Sequence, residues 1–78
     1  MEKVRITFTQ PLKGHLRSFI ADALEQDGLP VVDSGEDYFV VEVEEPLDAV
    51  VEDEIFGLED EIFDFADIGV RIKSVTRE

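Results

Sequence analysis

Seventy-eight residues with 44% hydrophobic content and six Phe suffice for one small core and exclude wholesale disorder. Seven Lys and Arg against twenty Asp and Glu give a net charge of −13, which phosphate backbones and anionic lipid repel, so direct binding to nucleic acid or membrane is not expected. With no Cys, disulfides, thiolate chemistry and cysteine-based metal centres are excluded as well.

Residues 3–9 alternate, with Val4, Ile6 and Phe8 on one side and Lys3, Arg5, Thr7 and Thr9 on the other, as a half-buried strand does. The Met1-Glu2-Lys3-Val4-Arg5 start leads directly into this pattern, so no signal peptide is expected and the cytoplasm (a host cytoplasm for a viral chain) is the expected location. Pro11 suits the first turn of a helix whose cap falls near Thr9 or Gln10. Leu12, Leu16, Phe19, Ile20, Ala23 and Leu24 give that helix one apolar face. Gly28 fits its C′ position, and Pro30 follows where a helix cannot continue.

A short strand is expected over 29–32, a turn over 33–36 with Gly35 at positive φ, and a third strand over 38–45. Pro46 opens a second helix reaching about residue 66, and 70–75 form a last strand. The order β-α-β-β-α-β predicts one α+β domain over 1–78 with a ferredoxin-like sandwich, a four-stranded antiparallel sheet carrying two helices on one face. Strand order 4-1-3-2 would bring Lys3 and Arg5 toward Glu42 and Glu44 on the open face.

Charge is segregated along the chain. No Lys or Arg occurs between Ser18 and Val70, a stretch that holds eighteen of the twenty acids. Within it Glu52-Asp53-Glu54-Ile55-Phe56 recurs seven residues later as Glu59-Asp60-Glu61-Ile62-Phe63, and such a repeat stacks equivalent side chains within about 20° around a helix. Leu47, Val51, Ile55, Leu58, Ile62, Phe65 and Ala66 form the core stripe. Phe56 and Phe63 stand about 100° away from it. Either the rings belong to the core edge, because Gly57 ends the helix and re-aims Phe56 inward or because so small a domain wraps both rings into its core, or the rings face a partner from within a fringe of carboxylates. The second alternative defines a partner-binding site of Glu52, Asp53, Phe56, Glu59, Asp60, Phe63 and Asp67.

No catalytic constellation, metal site or cofactor is expected, and the chain does not read as an enzyme. His15, the only histidine, has no nucleophile motif near it, and Asp33-Ser34-Gly35-Glu36-Asp37 is too short for a calcium loop. Functional residues of common ferredoxin-like proteins are missing: the Cys pair of heavy-metal carriers, the stacking aromatics of RNA-recognition domains, and the loop Arg of acylphosphatases.

In size, charge and helix-borne carboxylates the chain resembles the small acidic DNA-mimic inhibitors that phages and mobile elements direct against restriction, CRISPR or repair machinery. That resemblance implies a protein partner with a basic surface, such as a nucleic-acid-binding protein, engaged through electrostatic attraction. A second copy of the chain is the other candidate partner. The alternative reading is a regulatory or subunit domain from a salt-adapted organism, whose acidity keeps it solvated.

Overall fold

Alternation in the first strand becomes the spine of the molecule. The computed structural model describes residues 2–59 and 70–78 and contains β1 (Glu2–Phe8), α1 (His15–Gln26), β2 (Val31–Ser34), β3 (Tyr38–Val43), α2 (Ala49–Leu58) and β4 (Ile72–Arg77). The four strands form one antiparallel sheet in the order β2-β3-β1-β4, the ferredoxin-like arrangement expected from the element order. Val4, Ile6 and Phe8 of β1 are buried beside Phe39, Val41 and Val43 of β3, and Ile20, Leu24, Val51, Ile55 and Leu58 of the helices join the same cluster. Both helices therefore cover one sheet face. Phe8 and Phe39 meet edge to face, with ring centroids 6.1 Å apart, a geometry worth about 0.5–1.5 kcal/mol beyond burial.

Element ends depart from the sequence reading for physical reasons. Helix α1 begins at His15, four residues after Pro11, because Leu12 is buried and its N–H donates to the Glu36 carbonyl at 2.7 Å. Gly14, at φ 56, then redirects the chain into the helix. At the other end Gly28 (φ 83) donates to Glu25 and Leu29 donates back to Leu24, the paired hydrogen bonds of a Schellman stop. Leu29 is thereby used up, so β2 starts at Val31, two residues later than expected. Phe19, assigned to the buried face of α1, is 46% exposed, and only Ile20 and Leu24 of that helix are fully buried. Strand β4 likewise starts at Ile72, after residue 71 has exchanged hydrogen bonds with Thr9 through the Thr9 N–H and Oγ1.

Gly35 is not at positive φ, the conformation found at Gly14 and Gly28. Its need for glycine is steric: a Cβ there would lie 2.0 Å from Cε1 of Tyr38. The turn is held from above by Arg17, whose guanidinium donates to Ser34 Oγ at 2.9 Å and to the Gly35 carbonyl.

On the open face Lys3 stands opposite Glu42, as expected, but Arg5 stands opposite Val40. Its guanidinium takes both carboxylate oxygens of Glu78 at 3.1 Å and lies 4.3 Å from the Tyr38 ring centroid. Hydrogen bonding to Glu78 is the main influence holding Arg5 above its ordinary pKa. Tyr38, the outward aromatic of β3, thus has a ring face occupied by Arg5.

Candidate functional site

Helix α2 carries the described part of the sequence-derived site. Asp48 caps it, with its carboxylate accepting from the Val51 N–H at 3.0 Å, and Glu52 adds negative charge to the first turn, where the helix dipole favours it. Val51, Ile55 and Leu58 are buried against the sheet, which fixes the rotation of the helix. At about 100° per residue, Phe56 must then point away from the core. It is 38% exposed, between half-buried Glu52 on one side and exposed Asp53 on the other. Gly57 lies inside the helix, so it does not turn Phe56 inward. Val50, at 63% exposure, adds a second apolar side chain to the outer surface of α2.

Glu59 behaves differently from its neighbours. It is half-buried, and its Oε1 accepts a hydrogen bond from the Ile72 N–H at 2.6 Å, joining the end of α2 to the start of β4. Asp60, Phe63 and Asp67, together with Ile62, Phe65 and Ala66 of the expected core stripe, lie outside the described residues. The aromatic pair and most of the repeat are therefore represented by Phe56, Glu52, Asp53 and Glu59. Of these, Asp53 and Phe56 are presented to solvent and Glu59 is tied into the fold.

The cations stand elsewhere. Lys3 and Arg5 are on β1, Lys73 and Arg77 on β4, Arg71 just before β4, and Lys13 and Arg17 near the start of α1. Arg77 lies 3.4 Å from Glu2, which also accepts from the Leu47 N–H. Arg17 sits over the Phe39 ring as well as holding the β2–β3 turn. The second half of α1 and the whole of α2 carry acids without a base. Among the described residues no group of three or more His, Cys, Asp or Glu is arranged to hold a metal ion, and no helix is long and apolar enough to cross a membrane.

The same helical layer contains a cavity of about 320 Å³, which the sequence reading did not anticipate. It lies where the Schellman stop of α1, the end of β3 and one flank of α2 converge, and such convergence of segments distant in sequence has no periodic signal. Comparison of the chain with protein families, curated proteins and solved structures finds no match.

Proposed function

We propose that this chain is a protein-binding module of the cytoplasm that engages a basic protein surface through the acidic layer formed by α2 and the second half of α1. The observation that carries this reading is the exposed Phe56 set among Glu52 and Asp53 on a helix without a cation. An aromatic anchor surrounded by charge is the usual composition of a compact interface. The arginines support it, because Arg5 and Arg77 on the sheet and Arg17 in the first half of α1 are engaged within the fold. The acids of the helical layer thus have few internal counter-charges, and a partner can supply them. A nucleic-acid-binding protein is the favoured class, since its surface already accommodates closely spaced negative charge, as a DNA-mimic inhibitor exploits.

The test is capture from a lysate of the source cells at low ionic strength, run in parallel with wild-type chain and with Phe56→Ala and Asp53→Lys variants. A protein retained by wild type, released as salt rises and lost with the variants supports the proposal. Equal retention on all three chains would remove α2 from the interface.

A further inference from the structure

The cavity beside α2 has a composition that restricts what can occupy it. Its floor is apolar: Leu29, Val43, Val51, Ile55 and Leu58. Its rim is acidic, formed by the exposed side chains of Asp27, Glu44, Glu45 and Glu54. None of these four is paired with a cation among the described residues. A second source of negative potential comes from the backbone. Helix α1 ends at this rim and has no basic residue in its last turn, so no side-chain cation offsets the negative end of its dipole there, although the Schellman stop satisfies its carbonyls at residues 23–25.

An anion is repelled by this rim, and a hydrated metal ion gains nothing from the apolar floor. A long basic side chain matches both parts, laying its alkyl stem on apolar surface while its charged head stays near water. Keeping the head at the rim avoids the desolvation that deep burial of a charge demands. At about 320 Å³ the cavity is at the small end of the roughly 300–1,000 Å³ range of ligand sites, suited to one extended side chain. Several carboxylates around one head favour the planar, forked guanidinium over a point charge.

We propose that this cavity is a socket for an arginine side chain from a basic segment of the partner protein. The proposal rests on the protein-binding reading above and gives α2 a second contact. Glu54, at the socket, and Phe56 lie about 200° apart around the helix, so the two contacts can be tested separately.

The experiment is methyl NMR of the full chain, titrated at low ionic strength with a blocked glycine–serine peptide carrying one central arginine. The same peptide with citrulline, a neutral isostere, is the control. Saturable shifts of the Leu29, Val51 and Ile55 methyls, absent with citrulline, are expected. The exposed-rim variants Glu44→Gln and Glu54→Gln should each weaken the effect roughly two- to fivefold, the range of one exposed charge pair, and Phe56→Ala should leave it unchanged. Shifts of the Phe56 ring signals, followed in parallel by aromatic NMR, without shifts of the socket methyls would overturn the arginine socket and leave the wider binding reading standing. Socket shifts that persist with citrulline, that sodium chloride reproduces at equal ionic strength, or that appear with protein concentration alone would also overturn it. Loss of response at both places would overturn the socket and count against the wider reading too.

Discussion

The carboxylate of Glu59 accepts the backbone N–H of Ile72 at 2.6 Å, linking the C-terminal end of α2 to the first residue of β4. An acid that the heptad repeat places among equivalent surface charges is in this way part of the scaffold. Ile72 is buried, so removing the acceptor leaves its N–H without a partner, a loss of about 1–3 kcal/mol. Glu59→Ala is therefore expected to lower the urea midpoint clearly. Asp53→Ala, on the exposed surface of the same helix, should stay within about 0.5 kcal/mol of wild type. Equal midpoints for the two variants would show that the Glu59 contact contributes nothing.

Gly35 provides a test of steric reasoning in the β2–β3 turn. Because a Cβ would collide with the Tyr38 ring, Gly35→Val should cost about 1–3 kcal/mol as overpacking. In a Tyr38→Ala background the same change should cost markedly less. A penalty that is identical in both backgrounds would place its origin in the backbone.

The two neighbours Ile55 and Phe56 should separate stability from binding. Ile55 is 1% exposed, and Ile55→Ala should cost about 2–5 kcal/mol. Phe56→Ala should melt close to wild type and lose affinity for a captured partner. A Phe56→Ala chain that melts as low as Ile55→Ala would return the ring to the core.

The fold was largely readable in the sequence because its core positions obey simple periods. Val4, Ile6 and Phe8 alternate, Val51, Ile55 and Leu58 follow a helical spacing, and Gly28-Leu29-Pro30 is a stop signal with a mechanism. What could not be read depends on contacts between distant segments. Leu12 is held by Glu36, Arg5 is drawn to Glu78 and Tyr38, and Glu59 is drawn to Ile72. Phe19 satisfies the helical period of α1 and still emerges at the surface, since periodicity gives a direction but not the width of the sheet beneath. The 38% exposure of Phe56 agrees with the azimuth that the repeat assigns to it.

Salt dependence separates a binding surface from a solvation strategy. At about 0.01 M ionic strength, where charges interact over roughly 30 Å, the melting temperature should fall below its value at about 0.5 M. The chain should nonetheless remain folded, held by its buried apolar cluster. Cooperative unfolding at low salt, read by circular dichroism, would instead support the salt-adapted alternative.

The most direct measurement is hydrogen–deuterium exchange on the chain alone and in complex with the protein that low-salt capture recovers. Slower exchange confined to α2 and the end of α1, with β1 and β4 unchanged, is the expected result. Slower exchange across β1 and β4, with α2 exchanging as in the free chain, would place the interface on the open sheet face and contradict the acidic helical layer as the binding surface.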